Sequence, residues 1–66
     1  MEVRIGKIIS IDKTTGTGII EDSNFQDIGF SLDSSETALL PGQCVTFVIK
    51  FCASGLEASQ VKLARV

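Results

Sequence analysis

Histidine, tryptophan and tyrosine are all absent from these 66 residues. Without histidine, and with cysteine only at Cys44 and Cys52, no zinc ligand set can be assembled at ordinary spacing. Neither a metal nor a cofactor is expected. The two cysteines fall in one strand-like segment, where eight positions at about 3.3 Å each hold them roughly 26 Å apart, beyond disulfide reach. They are expected to be reduced thiols, which fits a cytoplasmic protein. An unbroken apolar run of about 18 residues is missing too, as is a signal peptide, so these residues are expected neither to enter nor to span a membrane. Basic excess is also lacking: six Lys and Arg face eight Asp and Glu, for a net charge of -2. General attraction to phosphate is thereby excluded, since non-specific nucleic-acid affinity comes mostly from Lys and Arg displacing counterions. Arg4, Lys7, Lys13, Lys50, Lys62 and Arg65 are scattered singly.

What remains is a chain that is 44% apolar, without low-complexity runs, and long enough for one domain. At this size folding buries about 60% of the surface that the unfolded chain exposes, so the core must be small. Residues 1–66 are read as one domain, either complete or the first domain of a longer protein. If a membrane-embedded remainder followed, its place would be the cytoplasmic face.

Five short strand signals run along the chain. "EVRIGKIISID" carries Val3, Ile5, Ile8, Ile9 and Ile11, all β-branched. Asp12 to Thr15 make a polar turn, and "TGTGII" follows with glycines where a strand bends or another backbone comes close. "EDSNFQD" is a connector, "IGFSL" a short strand, and Asp33 to Thr37 a polar run. After the Pro41-Gly42 turn, a long strand alternates Val45, Phe47, Ile49 and Phe51 against Cys44, Thr46, Val48, Lys50 and Cys52. "ASGLEAS" reads as a turn and "QVKLARV" as the last strand. Five short strands with no helical segment of 10 residues predict an all-β fold: a small five-stranded antiparallel barrel, which closes on itself and leaves no open edge. Periodicity alone leaves an SH3-like barrel open.

The order of motifs goes further. Gly6-Lys7-Ile8-Ile9-Ser10-Ile11-Asp12 is similar to the opening pattern of the bacterial cold-shock domain: glycine, lysine, valine, lysine, tryptophan, phenylalanine, asparagine. Its first RNP motif falls on Thr15-Gly16-Thr17-Gly18-Ile19-Ile20 and its second on Asp27-Ile28-Gly29-Phe30-Ser31-Leu32. Gly42-Gln43, Val45, Phe47, Gly55, Ala58 and Val61 match the last two strands in order. Over roughly residues 4 to 63 the chain resembles a divergent cold-shock domain, with a loop about four residues shorter between Leu32 and Gly42. The resemblance implies a five-stranded antiparallel Greek-key barrel, an OB-fold, that binds single-stranded RNA or DNA.

The family's rings are missing, however. Where it stacks bases on aromatics, this chain has Ser10, Ile11, Thr17, Ile19, Gly29, Ser31 and Leu32, and two family lysines correspond to Ile9 and Thr15. Losing three stacks forfeits roughly 3–9 kcal/mol, whereas a micromolar complex holds only about 8 kcal/mol in all. The resemblance therefore implies weak, largely non-specific binding through Lys7, Lys13, Thr17, Phe25, Phe30 and Ser31. Phe25, an aromatic in a polar connector, is the candidate for a displaced stacking ring. Phe30 falls where the family has a core valine and also enters the core reading. Ile9, Ile11, Ile19 and Leu32 carry the alternative, either as extra core or as an aliphatic patch for a protein partner or a downstream domain of the same chain. The acids Asp12, Glu21, Asp22, Asp27, Asp33, Glu36 and Glu57 are scattered, with no nucleophile motif and no phosphate-cradling loop. No enzymatic activity is expected.

Overall fold

β-branched residues dominate the opening segment, and it forms strand β1, Arg4–Asp12. In the computed structural model, which describes residues 3–34, 39–53 and 55–64, four more strands follow: β2 Thr17–Asp22, β3 Asp27–Ser31, β4 Cys44–Cys52 and β5 Gly55–Leu63. A 3-10 turn, Leu32–Ser34, leaves β3. The strands close into a barrel in the order β1-β2-β3-β5-β4. Four seams are antiparallel as expected, and the β3-β5 seam is parallel. That seam joins strands that are not consecutive in the chain, so no hairpin fixes their direction. No helix among the described residues is long and apolar enough to cross a membrane.

The core gathers Ile8, Ile20, Ile28, Phe30, Leu39, Val45, Phe47, Ala58 and Val61, with Ile11, Leu32 and Ile49 packed against it. Two glycines exist for that packing. A Cβ on Gly6 would stand 2.6 Å from Ile20 Cγ2 and 2.7 Å from the Glu21 carbonyl oxygen. A Cβ on Gly18 would stand 2.6 Å from the Phe30 ring. Both strands pass close to their neighbours only because those side chains are absent.

Two bulges break the alternation. On β1, Ile8 pairs with Ile20 and Ser10 with Ile19, which leaves Ile9 as the extra residue. On β5, Gln60 and Val61 together oppose Phe47, since Thr46 pairs with Lys62 and Val48 with Ser59. Gln60 takes φ +52 there, the left-handed conformation that such a bulge uses.

Three expectations change as a result. Phe51 does not share the core face with Phe47: it is 82% exposed. The shared β3-β5 seam covers only Gly29–Glu57 and Phe30–Ala58, so the Phe51–Leu56 pair lies past the last row of the barrel wall. Val48 is buried although alternation put it outside. Strand β5 starts at Gly55, so most of "ASGLEAS" is strand. Residues 35–38 of the polar run, Ser54, Arg65 and Val66 lie outside the described residues. Cys44 and Cys52 stand at opposite ends of β4 and share no disulfide.

Carboxylates tie the loops at both ends of β2. Asp12 Oδ1 accepts from the amides of Thr14 (2.9 Å) and Thr15 (3.4 Å), and the Gly16 amide donates to the Asp12 carbonyl. Asp22, itself buried, accepts on Oδ1 from the amides of Asn24 (2.8 Å) and Gln26 (2.9 Å). These are the local side-chain-to-backbone bonds that Asp makes in turns. The Pro41-Gly42 turn is pinned to β1 by Gly42 N donating to the Ile8 carbonyl and Ile8 N donating to that of Gln43.

Candidate nucleic-acid interface

Alternate residues of β1, β2 and β3 point away from the core and form one open sheet face. Cross-strand register arranges it in three rows. Lys7, Glu21 and Asp27 make the first, nearest the β2-β3 turn. Ser10, Ile19 and Gly29 make the second, which continues through Glu57 on β5 to Lys50 on β4. Asp12, Thr17 and Ser31 make the third. Acids are interleaved with lysines across this face, so its field is mixed and offers no continuous phosphate track.

The middle row is hollow at its centre. Gly29 is exposed, and a Cβ built on it would meet nothing nearer than the Gly18 carbonyl oxygen at 3.9 Å. The result is a depression of about 300 Å³ bounded by Thr17, Ile19, Ser31, Leu56 and Glu57. Gly18, Gly29 and Phe30 complete its lining.

The candidate residues separate clearly. Lys7, Lys13 and Thr17 are exposed, the first and last on this face and Lys13 in the β1-β2 turn beside it. Thr17 Oγ1 lies 2.7 Å from Thr15 Oγ1. Ser31 is half-buried, and its hydroxyl accepts from the Asp33 amide at 3.3 Å. Phe25 is 82% exposed in the β2-β3 turn with φ +61. A bulky residue in the left-handed region is uncommon and costs of order 1–3 kcal/mol. Phe30 takes the core place: it is 2% exposed and its ring lies under Gly18. The aliphatic quartet divides as well. Ile9 and Ile19 stay 43% and 38% exposed, whereas Ile11 and Leu32 pack against the core. On β1 the bulge causes the split, because it leaves Ile9 and Ser10 both on the outer side and so returns Ile11 to the core side.

Glu57 and Leu56 join this face without having been expected there, because the sequence places them in a turn. The signal that would have found them is the glycine at position 55, where β5 begins opposite Cys52.

With the geometry in hand, one solved structure is decisive for the fold. A segment of Drosophila Unr described as CSD456 superposes on 97% of this chain with a TM-score of 0.79. The fold is that of a cold-shock OB barrel. Identity over the match is 20%, and the chain spans 27% of the length of that one. No protein-family model matches the sequence, and no curated protein matches it.

Proposed function

We propose that this domain binds single-stranded RNA or DNA weakly, mostly through phosphates and with little dependence on sequence. Lys7 and Lys13 supply the cationic contacts, the hydroxyls of Thr17 and Ser31 supply hydrogen bonds, and Phe25 supplies one displaced stacking ring. Phe25 carries the proposal. An aromatic ring held exposed at φ +61 beside an open sheet face contributes little to packing, and strain of that kind persists where the surroundings hold it for use. Contacts through Lys7 and Lys13 make the binding strongly salt-dependent, because the slope of affinity against salt counts the phosphates neutralised.

Replacing Phe25 with alanine is expected to weaken binding of a short pyrimidine strand by about one stack, ~1–3 kcal/mol. Fluorescence anisotropy at low salt measures it, and an unchanged Kd removes Phe25 from the contact set. A second reading has its own support. Ile9 and Ile19, adjacent on β1 and β2 and both exposed, suit an aliphatic contact with a protein partner on the same face. A chain that ignores single strands at low salt would leave that second reading in place of the first.

A further inference from the structure

We propose that the depression over Gly29 is a nucleobase slot that selects guanine, with Glu57 reading the base. This rests on the single-strand binding proposed above and adds to it a preference at one nucleotide.

Ile19, Gly29 and Glu57 stand side by side on β2, β3 and β5. Neighbouring strands lie about 4.8 Å apart, so Ile19 and Glu57 flank a gap of roughly 9.6 Å with no side chain between them. Because a Cβ built on Gly29 would meet nothing nearer than the Gly18 carbonyl oxygen at 3.9 Å, a planar ring can lie over the strand there. Ile19 and Leu56, both exposed, give the slot aliphatic walls against which a ring lies flat. Thr17 and Ser31, paired across β2 and β3, border the same depression with hydroxyls.

Glu57 decides which ring fits. An ionised carboxylate only accepts hydrogen bonds, and it accepts two side by side. Among the bases, guanine alone offers two adjacent donors on its Watson–Crick edge, N1–H and N2–H. Cytosine and adenine each offer a single amino group, and uracil flanks its one N–H with two carbonyl oxygens that a carboxylate repels. The Glu57 contact within the chain is weak, a Cys52 thiol 3.7 Å from Oε2, and gives way to a charge-assisted pair. Lys50 stands across from Glu57 on β4, where it offsets the carboxylate's repulsion of the strand.

The test compares the RNA pentamers UUGUU, UUAUU and UUUUU, titrated at low salt into the wild-type domain, Glu57→Gln and Gly29→Leu, with backbone amide spectra showing that each variant is folded. UUGUU is expected to bind wild type at least about fivefold more tightly than the other two, as one bidentate base contact provides, with shifts at Gly29, Ser31 and Glu57. Glu57→Gln is expected to weaken UUGUU while leaving UUUUU unchanged or tighter, and Gly29→Leu to abolish the preference by filling the slot. Equal affinity for all three pentamers in wild type overturns the guanine slot and leaves single-strand binding standing. So does an equal change for all three in Glu57→Gln, which would mark a purely electrostatic or structural role. If no pentamer binds wild type, both proposals fall together.

Discussion

A triple variant carrying Thr17→Phe, Ile19→Phe and Gly29→Phe is expected to bind a short single strand more tightly than wild type by roughly 3–9 kcal/mol, three stacks at ~1–3 kcal/mol each. The three positions are contiguous, since Thr17 and Ile19 follow each other on the outer side of β2 and Ile19 pairs with Gly29. All three are exposed, and Gly29 has neither a left-handed φ nor an atom nearer than 3.9 Å to a built Cβ. The rings therefore add to the surface without repacking the core. The gain should appear in Kd with a nearly unchanged salt slope, because stacking neutralises no phosphate. A triple variant that folds yet binds no better would show that strands do not cross this face.

Phe30→Ala is expected to cost ~3–5 kcal/mol of stability, the usual loss for a large buried ring. A chain of 66 residues holds only about 3–10 kcal/mol in total at typical stability per residue, so this one change should leave much of the population unfolded at room temperature. The ring fills the space over Gly18, and the core cluster around it has few members to redistribute. Urea denaturation followed by circular dichroism measures the effect. A midpoint close to that of wild type would put the ring outside the core and return Phe30 to the contact set.

The contrast between Phe25 and Phe30 shows where the sequence was sufficient. Strand positions were legible because β-branched residues cluster in them and Asp, Gly and Pro punctuate the turns. The Phe30 core position follows from its place between outward Gly29 and Ser31, which β periodicity alone provides. The missing rings of the face were legible in the same way, as a resemblance in frame without the resemblance in side chains.

What escaped the sequence depends on bulges and closure. Ile9 and Gln60 carry no local mark of being bulge residues, yet each shifts the phase of everything after it. Phe51 was assigned to the core by unbroken alternation, and the hairpin instead carries it past the barrel wall. The first half of β5 was hidden because its inward residue is small: Ala58 is fully buried where β5 runs beside Phe30, and a small residue among Gly, Glu and Ser reads as a turn. With that half-strand went Glu57, whose place next to Gly29 depends on a parallel pairing between distant segments. No local pattern encodes such a pairing.

The most direct test of the central claim is a titration of the isotope-labelled domain with a short pyrimidine single strand, at low and at physiological salt, with backbone amide shifts followed residue by residue. Single-strand binding on the β1-β3 face predicts shifts concentrated on residues 7–19, Phe25 and residues 28–31, shrinking as salt rises. An unperturbed spectrum at low salt, or shifts confined to the outer side of β4, would contradict it.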